Sequence, residues 1–241
     1  KPLQSVIGAV ERRQTLPILT NVLVTATKQA LTLTATDLEV ELSARVELPA
    51  ETPGAITLPA RRLHDILSAL PEEATVTLSV EGDKATVRCG RSRFILTTLP
   101  AGDFPTLENL PQEGEIQLPQ GALRNLIERT HFAMAQQDVR YYLNGLLLEV
   151  SSGVVRLVAT DGHRLAFQEL PINAEVAEPR QVIVPRKGVM ELIRLLTDSE
   201  AEAGLTLSPN HIRLTLGDIR FTSKLIDGKF PDYQRVIPRE G

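Results

Sequence analysis

One cysteine, Cys89, stands alone among 241 residues. A single thiol cannot form an internal disulfide, so the sequence points to a reducing, cytoplasmic compartment. Four scattered histidines and that cysteine offer no metal-ligand spacing, and nothing calls for a cofactor. Long apolar runs are missing too. LLLEV (146–150) is strand-sized, and no run approaches the roughly 20 apolar residues of a membrane-spanning helix. The opening KPLQSVIGAVERR is too polar and too regularly patterned for a signal peptide. It lacks an initiator methionine, which suggests a piece of a longer chain. Basic excess is absent as well. The net charge is −4 and the pI about 5.7. A protein gripping nucleic acid over its whole surface is normally basic, so any such contact here is local or loose. What remains is 42% hydrophobic and 23% charged, enough for a packed core, in a length that suits one large domain or two ordinary ones.

The chain repeats itself. LTNVLV (19–24) pairs with LNGLLL (143–148), and LTATD (33–37) with LVATD (157–161). ITLPARRLHDILSAL (56–70) pairs with VIVPRKGVMELIRLL (182–196), and FILTTLPAGDFPTL (94–107) with FTSKLIDGKFPDY (221–233). The offset stays between 123 and 127. Two homologous domains follow, 1–111 and 112–241, with a short linker over Leu110–Gly114.

Both hydrophobic periods occur in each copy. VLVTATKQALTLTATDLEVEL, GDKATVRCGRSRFILTTL and NHIRLTLGDIRFTSKL alternate and read as successive strands. Four segments carry helical stripes instead. They are Leu3, Val6, Ile7, Val10; then Leu63, Ile66, Leu67, Leu70; then Leu123, Leu126, Ile127; and then Val189, Leu192, Ile193, Leu196. Pro59, Pro119 and Pro185 precede three of the stripes, where proline suits a first helical turn. The expected fold class is α+β: tandem units, each with two helices packed on antiparallel sheets. The first unit lacks an opening strand, since Lys1 already lies in the helical pattern.

ATDGHRLA (159–166) gathers Asp161, Gly162, His163 and Arg164. An enzyme reading would make Asp161 and His163 a hydrolase pair. Thr-Asp recurs at Thr36-Asp37, however, and no nucleophile elbow accompanies it. Duplication with its local frame favours a structural aspartate that closes a turn. Where the second copy has Gly162-His163-Arg164, the first has Leu38-Glu39-Val40, so the second gained something in this turn: a surface binding role, or no more than an incidental exposed histidine.

QDVRYYLNG (137–145), ATDGHRLA (159–166), VPRKGV (184–189) and KFPDYQRV (229–236), with TLPIL (15–19) and GRSRF (90–94), resemble the β subunit of bacterial DNA polymerase III, the sliding-clamp family. The resemblance runs from Lys1 to the end. It implies a DNA-clamp fold without catalysis: three such units per chain, two chains closing as a homodimer ring around double-stranded DNA, helices lining the hole and sheets forming the wall. Only two units are present here, so the third is expected beyond Gly241, and the fragment alone is expected to close no ring and to show weak or no peptide affinity.

The outward helix faces hold Lys1, Arg12, Arg61, Lys187 and Arg194 against Asp65, Glu128 and Glu191, a small basic bias. Few phosphate contacts suit a ring that slides. The DNA-binding residues implied are Arg13, Arg61, Gln137, Tyr141, Tyr142, Lys187 and Arg194, although packing would also account for the tyrosines. The family docks the polymerase III catalytic subunit, the clamp loader and repair polymerases through short linear peptides. The matching positions are Leu143, Thr160, Gly162, His163, Arg164, Leu165, Pro231, Arg235 and Val236. An apolar floor from Leu143, Leu165, Pro231 and Val236 would take an anchor side chain, with His163 and Arg164 as a polar rim. Read singly, Leu143, Leu165 and Val236 are equally well core residues. Arg91, Arg93, Phe94 and Leu96 match the dimer contact, and alternating arginines also protect a bare sheet edge. Two further readings stay open: a two-domain trimeric clamp of archaeal or eukaryotic type, and an accessory clamp that only sequesters an inhibitor.

Overall fold

The computed structural model describes residues 1–11, 16–107 and 115–237. The same element order occurs twice. The first run is α1 (Pro2–Val6), prolonged by a 3₁₀ turn over Ile7–Ala9, then β1 (Asn21–Ala26), β2 (Leu31–Thr36), β3 (Val40–Val46), β4 (Gly54–Pro59), α2 (Ala60–Ser68), β5 (Thr77–Glu81), β6 (Lys84–Cys89) and β7 (Ser92–Thr97). The second is β8 (Ile116–Pro119), α3 (Gln120–Glu128), β9 (Gly145–Ser151), β10 (Val154–Thr160), β11 (Leu165–Pro171), β12 (Arg180–Pro185), α4 (Arg186–Leu195), β13 (Glu202–Leu207), β14 (His211–Leu216) and β15 (Ile219–Lys224). The expected linker, Leu110–Gly114, lies outside the described residues. By compactness the chain divides into Lys1–Asn109 with Thr215–Thr222, and Leu110–Leu214 with Ser223–Gly241, a division that cuts through β14 and β15.

In the first unit β4, β1, β2 and β3 lie side by side and antiparallel, and β5, β6 and β7 form a separate sheet. In the second, β11, β10, β9 and β12 repeat the first arrangement, and β8 pairs with β13. Alternation sets the faces: Val40, Leu42 and Ala44 of β3 point inward. β9 is different, because GLLLEV is buried throughout, so both faces of its sheet are covered.

Three strands that end in proline run directly into a helix. Pro59, Pro119 and Pro185 end β4, β8 and β12 and occupy the position just before α2, α3 and α4, one residue earlier than a first-turn proline. With no loop between them, each helix must lie close to the strand that feeds it. Leu123, Leu126 and Ile127 of α3 and Val189 and Leu192 of α4 are buried, and most of them line one small apolar cavity with Leu146, Leu148 and Leu157 of β9 and β10. The stripe on α2 is less complete. Leu63 is buried, Ile66 and Leu70 are half-buried, and Leu67 is exposed rather than packed.

Gly145 opens β9 opposite Pro185. A Cβ there would stand 2.6 Å from the Val184 carbonyl oxygen and 2.7 Å from Ile183 Cγ2. Backbone cannot yield as a flexible side-chain tip can, so Gly145→Ala is expected to lower unfolding free energy by about 1–3 kcal/mol. Urea unfolding checks this: the midpoint should fall with the slope unchanged.

Candidate functional site

β10 ends at Thr160 and β11 begins at Leu165, so Asp161–Arg164 is a hairpin turn. Asp161 Oδ1 accepts the backbone N–H groups of His163 (2.9 Å) and Arg164 (3.0 Å), and Oδ2 accepts Arg164 Nε at 3.0 Å. The Thr160 hydroxyl donates to the Arg164 carbonyl at 2.7 Å and accepts the Gly162 N–H at 3.1 Å. The His163 N–H, then that of Arg164, holds the Asp161 carboxyl below its ordinary range.

The first copy builds the same turn bond for bond. Asp37 Oδ1 accepts the N–H groups of Glu39 (3.0 Å) and Val40 (2.9 Å), while Thr36 donates to the Val40 carbonyl (2.9 Å) and accepts the Leu38 N–H (3.1 Å). The residue after the aspartate is left-handed in both, at φ +74° for Leu38 and +89° for Gly162. Glycine adopts that conformation freely, whereas leucine does so under strain. The paired Thr-Asp is therefore a turn-closing device. The hydrolase reading fails on geometry, because the turn's own N–H groups and Arg164 occupy the Asp161 carboxylate, which makes no bond to the His163 imidazole.

The loop after α3 reaches this turn through a residue that sequence reasoning missed. Arg140 donates from Nε to Asp138 Oδ1 (3.0 Å), from Nη2 to Asp138 Oδ2 (2.8 Å), and from Nη2 to the Asp161 carbonyl (3.2 Å). Its backbone N–H also bonds Asp138 Oδ1, at 2.8 Å. Asn144 closes the loop by accepting the Asp138 N–H and donating to the Asp138 carbonyl, each at 2.9 Å. Arg140 covers Gly162 closely: a Cβ on that glycine would stand 2.9 Å from Nη1. Phe132 was missed as well. Arg164 Nη2 donates to its carbonyl at 2.5 Å, and the guanidinium lies 5.6 Å from its ring centre. An Asp-x-Arg pair inside QDVRYYLNG was the available signal, but nothing in it points across 21 residues of chain to Asp161.

A third segment joins these two. Tyr142 and Leu165 pack against a buried cluster of Ala135, Leu143, Leu147, Val158, Ile183, Phe230 and Tyr233, with Phe167, Ile226 and Ile237 at its margin. The end of the described chain therefore lies on the face of the sheet that also carries the turn. Pro231, Arg235 and Val236 are exposed there, and Arg235 pairs with Asp232 at 2.8 Å. Gly162, His163 and Arg164 are exposed, and Thr160 and Leu165 half-buried.

Leu143, expected in the apolar floor, is 2% exposed and packs in the core cluster. Leu96, expected at the dimer contact, is 1% exposed and pairs with Ala85 across its sheet. Arg91, in the turn before β7, is exposed, as is Arg93 on that edge strand, where Phe94 is half-buried. The DNA-facing expectations divide as well. Arg61, Lys187, Arg194, Gln137 and Tyr141 are exposed, Gln137 with a left-handed φ of +55°. Tyr142 is half-buried against the core. Arg194 donates to Glu191 at 2.8 Å, which offsets its charge. Arg13 lies outside the described residues.

Residues 1–108 match the family model for the DNA polymerase III beta subunit, N-terminal domain, and residues 117–232 match that for its central domain. A Pseudomonas aeruginosa beta sliding clamp is 58% identical over 242 residues, covering 100% of this chain and 66% of the relative. The crystal structure of DNA polymerase III subunit beta from that organism superposes with a TM-score of 0.96 at 58% identity, over 100% of this chain and 66% of the other. A Pseudomonas aeruginosa sliding clamp bound to griselimycin superposes with a TM-score of 0.94 at 58% identity, over 100% and 65%. The chain thus spans just under two thirds of the length of the curated relatives it matches.

The Arg140 side chain, then its backbone N–H, lowers the Asp138 pKa to about 2. A depressed folded-state pKa stabilises above the ordinary aspartate value near 4, and that contribution is lost as pH falls from about 4 to about 2. A carboxyl-shift NMR titration of Asp138 should therefore give a midpoint near 2. Arg140→Ala should return it toward 4, and a wild-type midpoint near 4 would mean that the Arg140 fork is not formed.

Proposed function

The chain belongs to the DNA polymerase III beta-subunit family, and from that premise we propose that it serves as the first two units of a sliding clamp. In this reading a homodimeric ring encircles double-stranded DNA, loosely and without sequence preference. It tethers the polymerase III catalytic subunit, the clamp loader and repair polymerases by docking their short linear peptides. It works in the cytoplasm, at the nucleoid, and supplies no active site of its own. Matches to both beta-subunit domains support this over the two-domain trimeric alternative.

The observation that carries the docking role is the asymmetry between the copies. Both have the same Thr-Asp turn, but only the second places an exposed Gly-His-Arg on it, beside Leu165 and a chain end presenting Pro231, Arg235 and Val236. A half-buried leucine next to exposed Pro and Val suits an apolar anchor, and His163 and Arg164 suit a polar rim. For DNA, the cations of α2 and α4 are few. Arg61, Lys187 and Arg194 are exposed on these helices, with Arg194 also bonded to Glu191. Weak phosphate attraction fits sliding, with closure of the ring providing retention. The exposed Arg91, in the turn before β7, and Arg93 on β7 are offered as the polar part of the ring contact.

Griselimycin is a direct probe of docking. Adding it to the ¹⁵N-labelled chain should shift amides at 160–165 and 231–237 and leave 36–40, the equivalent turn of the first copy, in place. Arg164→Ala should reduce the apparent affinity roughly five- to tenfold, the effect expected of one charge-assisted rim interaction. Equal shifts in both turns would overturn the docking role. For DNA, changing both Arg61 and Lys187 to Ala should weaken binding of any duplex sequence alike. It should also flatten the salt dependence, by about 0.9 in log–log slope for each phosphate no longer neutralised. Anisotropy with two unrelated duplexes at several salt concentrations measures both.

A further inference from the structure

Glu149 is an outlier in its own strand. It sits in GLLLEV, between Leu148 and Val150, and is only 9% exposed. A carboxylate at such a site is costly unless fully bonded. Register explains how it is held. On β10 its partner across the sheet is Arg156, and on β12 it is Gln181. Both bond to it: Arg156 Nη1 to Oε1 at 3.3 Å and Gln181 Nε2 to Oε2 at 3.2 Å. Arg156 in turn faces Glu169 on β11 and donates to it from Nε at 3.1 Å. A polar row, Glu169–Arg156–Glu149–Gln181, thus crosses four strands. Two residues along, on the same face, runs an apolar row of Phe167, Val158, Leu147 and Ile183.

Tyr233 spans both rows. Its ring joins the apolar cluster, 5.9 Å from the Phe167 ring centre, and its hydroxyl donates to Glu149 Oε2 at 3.0 Å. Burial, then Glu149, raises the phenol's pKa, which keeps the donor proton in place. The bonds of Arg235 to Asp232 and of the Val236 N–H to the Tyr233 carbonyl are local. Among the described residues, the tyrosine hydroxyl therefore provides the long-range polar tie of the 227–237 segment.

The first copy supplies a control. Its matching row is Arg45, Thr32, Thr25 and Ala55, in the same register and with no carboxylate at the Glu149 position, and Leu107 stands where Tyr233 does. The first copy fastens the same segment in another way, since the Leu107 N–H donates to Glu41 Oε2 of β3 at 2.9 Å. The bond from a tyrosine hydroxyl to a carboxylate inside the sheet is therefore particular to the copy that carries the docking residues.

We infer that Glu149 and Tyr233 are positioning residues, whose hydrogen bond sets where the 230–237 segment presents Pro231, Arg235 and Val236 to a docked peptide. The role rests on the docking function proposed above, whereas the clasp can be read independently of it. Tyr233→Phe removes one hydroxyl and keeps the ring, and Glu149→Gln keeps the volume and one acceptor. Both should bind griselimycin about five- to tenfold more weakly than the unaltered chain, the effect of removing one hydrogen bond to a charged group. Amide exchange at 233–237 should quicken while that at 160–165 stays within twofold. Measured well below the unfolding temperature, affinity reads the native state alone, so a general loss of stability would leave it unchanged. The double variant should be no weaker than the worse single one. If the unaltered chain binds griselimycin and Tyr233→Phe binds equally well, the positioning role is wrong. Griselimycin shifts of equal size at 36–40 and 160–165 in the unaltered chain would instead sink the docking function, and unchanged exchange at 233–237 in the variants would remove the clasp.

Discussion

A strand that ends in Thr-Asp and turns on one left-handed residue is the constraint around which both copies are arranged. The aspartate takes the two N–H groups that would otherwise be left unpaired where the chain reverses, and the threonine closes the turn from the other side. Those bonds specify a hairpin register, and register decides which side chains face the helices and which face outward. In the second unit the register puts Leu146, Leu148 and Leu157 beneath α3 and α4, and Leu147 and Val158 beneath the chain end. A turn of this kind leaves its two central side chains free. The first copy has a strained leucine and a glutamate there, and the second has glycine and histidine followed by arginine. The side chains displayed on this turn differ between the copies while the bonds that form it are the same.

Much of this was legible in the chain itself. The duplication, the four helical stripes and the alternating strands follow from periodicity, because packing on a sheet demands it. The role of Thr-Asp was readable because it occurs twice. The sidedness of single leucines was not. Leu143 and Leu96 sit in strings with site residues, yet both are core, whereas Leu67 belongs to a stripe and is exposed. A stripe gives the direction of burial but not how far the neighbouring sheet extends. Arg140 could not be found either, since its fork spans a separation that only the folded chain closes. Glu149 was passed over as part of a strand-sized apolar run, because cross-strand partners on β10 and β12 are set by pairing and leave no local mark.

Positive charge near the proposed binding surfaces is largely committed to neighbours. Arg140 is held by Asp138, Arg164 by Asp161, Arg194 by Glu191 and Arg235 by Asp232, each within 3.0 Å. Exposed pairs of this kind add little stability, but they orient long side chains and reduce the net positive charge facing an anionic partner. A chain of net charge −4 with these arginines so engaged is poorly suited to gripping a polyanion, and well suited to staying near one without holding it.

The two arginines nearest the turn differ in what they hold. Arg164 leans on Phe132 and Asp161, within its own hairpin and the segment that follows α3. Arg140 instead reaches from the loop that carries Gln137 and Tyr141 to the Asp161 carbonyl and the face of Gly162. The glycine is required twice, by its φ of +89° and by the guanidinium that fills the space where a Cβ would stand. A side chain there would push Arg140 away and release the loop from the turn. The first copy carries Leu38 at the equivalent position at the cost of a strained φ of +74°. In the second copy the glycine therefore follows from what lies against the turn, although the bonds that close the turn are the same in both.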